Sequence, residues 1–104
     1  MVIIMVKHIV AYNYAEGFTK EENQRNVQNM REQLEALVGV IDGLITLKLY
    51  DTPMETSDFD LLLYSELESE EALRAYAVHP EHVKAATNYV RPYVSGRKCM
   101  DFIA

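Results

Sequence analysis

Residues 59–67, FDLLLYSEL, decide how this chain folds. Leu61 and Leu63 alternate with Leu62 and Tyr64, so the stretch reads as a strand that is apolar on both faces. Such a strand needs cover above and below, which places it in the middle of a sheet. Just upstream, the polar residues DTPMETSD (51–58) supply a hairpin loop. Before them residues 44–50 alternate as a second strand, Leu47 and Leu49 flanking Lys48. Downstream, Ser69 can cap a helix beginning EEALRAYAV, with Glu70 and Glu71 near its positive end. That helix runs into Pro80. Proline drives the residue before it out of helical geometry yet suits the first position of a helix. His79 therefore marks a break, and a further helix starts at Pro80 with Val83, Ala86 and Val90 on one face.

The two ends complete the pattern. Residues 2–12 are apolar and β-branched, with Val6, Val10 and Tyr12 on one face and Ile3, Met5 and Ile9 on the other, so this too is a doubly covered strand. Thr19 and Glu22 form a capping box. Val27, Met30, Leu34 and Leu37 then recur at helical spacing toward Gly39, predicting a helix over residues 20–38. Residues 97–104, RKCMDFIA, close the chain as a fourth strand. The order β-α-β-β-α-β predicts an α+β, ferredoxin-like single domain over residues 1–104: a four-stranded antiparallel sheet with both helices on one face and the first and third strands central. No element is left to cover the other face, so a twofold dimer packed sheet against sheet is expected.

Composition narrows the function. The 104 residues suit one domain, and 49% apolar with 25% charged residues is the profile of a soluble globular protein. The formal charge of −6, with no basic run, argues against nucleic acid as a partner. The opening MVIIMV is interrupted by Lys7 and His8 before it reaches signal-sequence length and reads as strand, and nothing suggests a membrane partner. Cys99, the only cysteine, has no partner for an internal disulfide, which points to the cytoplasm. With no activating neighbour in sequence it reads as a buried strand residue. There is no glycine-rich phosphate loop, nucleophile elbow or dinucleotide fingerprint, which argues against kinases, serine hydrolases and nicotinamide enzymes.

The chemistry concentrates in AYAVHPEHV, residues 75–83. His82 falls near the start of the helix opened by Pro80, where unsatisfied amides disfavour protonation and keep the imidazole neutral, as a general base requires. Tyr76, one turn before the break, is placed to donate its hydroxyl to a developing enolate or oxyanion. The competing reading is a tyrosine and a histidine that satisfy each other at a helix joint. H-P-E-H lacks the i, i+4 histidine pair of a zinc helix, so no metal site is expected. His8, among apolar neighbours, reads as a satisfied core histidine, and Tyr12 and Tyr93 as packing residues. If the parity of His8, Val10 and Tyr12 faces the helices, these three converge with Leu63, Tyr76 and His82 on one cavity.

MVKHIV (5–10), DFDLLLYSELESEEALRAYAVHPEHV (58–83) and DF (101–102) together resemble the stress-responsive α/β barrel (Dabb) family over nearly the whole chain. The resemblance implies a dimeric α+β barrel and Met5 as the natural start. Many members have no assigned activity, some are plant stress proteins, and one branch comprises polyketide cyclases that close a ring by aldol condensation without a cofactor. In that branch a Tyr and the second His of H-P-x-H act in a pocket between sheet and helices. Tyr76 and His82 match those positions, and His8 matches a pocket histidine. Asn26 and Met30 stand where the cyclases carry aromatic residues, so the pocket wall differs. The resemblance and the residue pattern together make Tyr76 and His82 the candidate catalytic pair and His8, Val10, Tyr12, Met30, Leu63, His79 and Tyr93 the expected pocket, with no cofactor and no metal. Related barrels include cofactor-free monooxygenases and haem-degrading enzymes, the latter linked to a pocket Trp that this chain lacks. The expectation is a homodimeric stress protein that binds a small apolar or carbonyl-containing molecule. A cofactor-independent, cyclase-like lyase is the alternative, and a cofactor-free monooxygenase the lesser one.

Overall fold

The computed structural model describes residues 5–104, so Ile3 of the first strand lies outside the described residues. Four strands, β1 (Val6–Tyr14), β2 (Leu44–Tyr50), β3 (Leu61–Leu67) and β4 (Val94–Ile103), form one antiparallel sheet in the order β2-β3-β1-β4. Helices α1 (Lys20–Glu35), α2 (Glu70–Val78) and α3 (Pro80–Ala85) complete a ferredoxin-like fold with β1 and β3 central. Val6 and Val10 of β1 and Leu61, Leu63 and Leu67 of β3 are buried on one face, together with Val27, Met30 and Leu34 of α1. None of the helices among the described residues is long and apolar enough to cross a membrane.

The local signals act as the residue types require. The Thr19 hydroxyl accepts from the Glu22 amide at 3.1 Å while the Glu22 carboxylate accepts from the Thr19 amide at 2.9 Å, closing both halves of the capping box. Ser69 caps α2 by accepting from the Ala72 amide at 3.0 Å. α1 ends at Glu35, short of the expected 38. Leu37 remains buried, but the chain there turns toward Gly39, whose φ of +89° leaves helical space. Gly43 is the tighter case: its φ is +84°, and an added Cβ would lie 2.7 Å from Ala72 Cβ at the start of α2.

His79 breaks the helix as its place before Pro80 dictates, with φ −62° and ψ 132°. Its Nδ1 accepts from the Glu81 amide at 3.1 Å, capping α3. After Ala85 the chain widens into a π-helical turn over Ala86–Val90, then tightens into a 3-10 turn over Arg91–Tyr93. Of the expected face of Val83, Ala86 and Val90, Val90 is buried and Ala86 half-buried, whereas Val83 is 39% exposed and Ala85, five residues before Val90 across the widened turn, is buried in its place. β4 begins at Val94, three residues before the expected 97.

The far side of the sheet carries Ile9 and Ala11 of β1, Leu62 and Tyr64 of β3, Tyr50 of β2, and Met100 and Phe102 of β4, which the pairing register places opposite one another. Among them Tyr50 and Met100 are each 56% exposed and Phe102 49%. No element among the described residues covers this face.

Candidate functional site

On the helix side, β1, β3, α2, α3 and the π turn enclose a cavity of about 400 Å³. β1 contributes His8, Val10 and Tyr12 because these alternate residues share the inward parity. Leu63 lies opposite Val10 on β3, Tyr76 and Leu73 come from α2, and His82 reaches in from α3. The sequence-derived group of His8, Val10, Tyr12, Leu63, Tyr76 and His82 is thus brought around one cavity. Three other candidate pocket residues are not. Met30 is 1% exposed within the core beneath α1, since helical periodicity turned it toward the apolar interior rather than toward the opening. His79 is committed to capping α3. Tyr93 packs edge-on against Phe18 with ring centroids 5.5 Å apart.

Tyr76 and His82 meet by stacking. Their ring centroids are 4.1 Å apart with planes inclined by 33°, and His8 stands edge-on to Tyr76 at 6.2 Å. The two do not satisfy each other by a hydrogen bond: the Tyr76 hydroxyl is buried without a partner among the described residues. Burial, followed by Tyr12, drives its pKa far above the ordinary tyrosine value, so the group is a proton-bearing donor and not a phenolate.

His82 Nδ1 lies 3.3 Å from the Ala77 carbonyl. That contact suits a tautomer with the proton on Nδ1, leaving the lone pair on Nε2. Burial lowers the His82 pKa, the Ala77 contact partly opposes this, and His8, Arg91 and Arg97 add smaller depressions. The shift runs in the direction expected for His82 but from a different cause than the one read in sequence, since desolvation rather than the short helix start comes first.

Leu73, Ala86, Arg91 and Arg97 also line the cavity. Leu73 lies three residues before Tyr76 on α2, a helical spacing that could have found it, whereas Arg91, just past the π turn, and Arg97, on β4, carry no periodic signal in the sequence. Beside His8, β4 places Asp101 directly opposite and Cys99 opposite Val10. His8 Nδ1 pairs with Asp101 Oδ1, and Cys99 Sγ lies 3.6 Å from both Asp101 oxygens. Cys99 is exposed, which corrects the reading of it as buried: it lies on β4, an edge strand. Partial desolvation of the sulfur and then the Asp101 charge raise its thiol pKa.

A comparison with curated proteins finds no match. Among solved structures, a dimeric ferredoxin-like protein of unknown function from Bacteroides fragilis is similar at 28% identity, with 94% of each chain covered and a TM-score of 0.84. A hydroxynitrile lyase from Passiflora edulis shares the fold at 13% identity, covering 96% of this chain and 93% of its own, with a TM-score of 0.73. A cofactor-independent oxygenase from Streptomyces nogalater does so at 13% identity, covering 96% and 92%, with a TM-score of 0.71. The family model described as the stress responsive A/B barrel domain matches residues 6–104, and with the ferredoxin-like sheet already in place, the chain belongs to that family.

Proposed function

We propose that this protein works as a homodimer and takes a small, mainly apolar molecule bearing a carbonyl group into the cavity between sheet and helices. The observation that carries this reading is the Tyr76 hydroxyl, a buried donor with no partner among the described residues. Leaving such a group unpaired costs about 1–3 kcal/mol, and a bound carbonyl oxygen supplies the missing acceptor. Val10, Leu63, Leu73 and Val90 offer apolar contact around it. The open apolar face of the sheet supports association of two copies, as in the dimeric Bacteroides fragilis protein. A cytoplasmic setting, where a lone thiol stays reduced, fits the single Cys99.

A second reading, a cofactor-independent lyase, is favoured by the stacked pair. His82 offers a neutral Nε2 base beside the hydrogen-bond donor Tyr76, the combination needed to remove a proton next to a carbonyl and hold the resulting enolate. One experiment addresses both. The protein is mixed in deuterated water with a panel of small cyclic ketones and arylacetaldehydes, all carrying α-hydrogens, and binding and α-proton exchange are followed by NMR. Binding that weakens in Tyr76→Phe is expected, and if the lyase reading is right, α-exchange lost in His82→Ala. Saturable binding without exchange removes the lyase, and the absence of binding across the panel removes both.

A further inference from the structure

The β1–β4 ladder brings together three donors of different kinds that are far apart in sequence. Cys99 and Asp101 alternate onto one side of β4, and His8 sits across from Asp101 on β1. Their ligating atoms all lie within 4.8 Å of one another. We infer that His8, Cys99 and Asp101 form a zinc-binding site at the rim of the cavity.

The spacing carries the inference. Zinc bonds of about 2.3 Å to sulfur and about 2.0–2.1 Å to nitrogen or oxygen, set at tetrahedral angles, put the sulfur about 3.5 Å from each other ligand. Cys99 Sγ stands 3.8 Å from His8 Nδ1 and 3.6 Å from each Asp101 oxygen, so the sulfur edges already approach that figure. Only the direct His8–Asp101 contact must open, to about 3.3 Å by the same geometry. The Asp101 side chain, 42% exposed on an edge strand, has room to swing.

The donor set is selective in kind. Imidazole nitrogen, thiolate sulfur and carboxylate oxygen together suit a borderline-soft cation such as zinc, whereas magnesium and calcium require oxygen ligands. Thiolate and carboxylate match the charge of a divalent ion while His8 binds neutral. On binding, the Cys99 S–H bond gives way to an S–Zn bond and the proton passes to water. Three protein ligands leave a fourth position for water or another small ligand. His8 also lines the cavity and stands edge-on to Tyr76, so the ion would adjoin the space described above. The ligand set shares no residue with H-P-E-H, where His79 is occupied as a cap.

Cobalt(II) titration of the purified protein tests the site, with far-ultraviolet circular dichroism confirming that each variant is folded. The expected result is one cobalt per protomer, a sulfur-to-cobalt charge-transfer absorption in the near ultraviolet, tetrahedral visible bands, and stoichiometric displacement by zinc. Cys99→Ser should abolish the charge-transfer absorption, and Asp101→Asn should weaken cobalt binding by about tenfold or more, at least the loss usual for an outer-sphere partner. An absorption that survives Cys99→Ser, fails to saturate below millimolar cobalt, or is unchanged in Asp101→Asn would overturn the assignment.

Discussion

Replacing Tyr76 with Phe should make the free protein more stable and the liganded protein weaker, a pairing of signs that ordinary core tyrosines do not give. The side chain is 1% exposed and its hydroxyl has no partner among the described residues, so the substitution removes a polar atom that has lost water without gaining a bond. The ring, and with it the stack on His82 at 4.1 Å, is retained. An unpaired buried hydroxyl costs about 1–3 kcal/mol, and the lower end of that range alone raises the melting temperature of a domain this size by about 4–8 °C. Calorimetry at one fixed protomer concentration measures the shift, because a dimer's midpoint moves with concentration. In the presence of a carbonyl ligand the same variant forgoes one hydrogen bond, worth about 0.5–1.5 kcal/mol, so its affinity should fall about two- to twelvefold. A Tyr76→Phe protein that melts lower than the parent would refute the reasoning, since its hydroxyl would then have been paired in the native state.

His82 has a folded-state pKa depressed chiefly by burial, with His8, Arg91 and Arg97 facing it. Its contribution to stability is therefore complete above the ordinary histidine value of 6.5 and is lost as pH falls through the lower folded value. Urea melts at fixed ionic strength should show this acid limb flattened in His82→Gln, and an unchanged limb would remove the assignment. Gly43→Ala combines a φ of +84° with a Cβ overlap at 2.7 Å and should cost about 2 kcal/mol or more, whereas Gly17→Ala, at φ +96° with open space around it, bears only the backbone strain. Equal losses in the two would show that the Ala72 contact relaxes freely. Phe102→Asp places a charge on the open face of the sheet and should shift sedimentation from dimer to monomer at micromolar concentration. A wild-type chain that sediments as a monomer there would dismiss the dimer.

The strands were readable because alternation is a one-dimensional signal, and Leu61 to Tyr64, apolar on both parities, already marked β3 as central. The break at His79 followed from the ring of Pro80 alone. The parity of β1 was enough to bring His8, Val10 and Tyr12 to one side, and their convergence on Tyr76 and His82 followed from layering. What escaped depended on the third dimension. Met30 has the same helical phase whether it fills the core or borders an opening, and Cys99 has an inward parity whether or not anything packs over it. The pairing of His8 with Asp101 needs the register of β1 against β4, which residues this far apart in sequence do not encode locally.

The π turn at Ala86–Val90 holds one residue more than an α-helical turn would, and the fold absorbs the surplus there. Five residues of this wider turn carry the chain round about as far as four of an α-helix, which is why Ala85 and Val90 are both buried. A chain one residue shorter here would close an ordinary turn with the residues at its two ends still on one face, so Val90 would stay in the core and Arg91 at the cavity. The turn is slack in the wall of the chamber. Chains of this fold can therefore gain or lose a codon at this point while everything after it keeps its bearing, and sequences of unequal length here can still enclose like interiors.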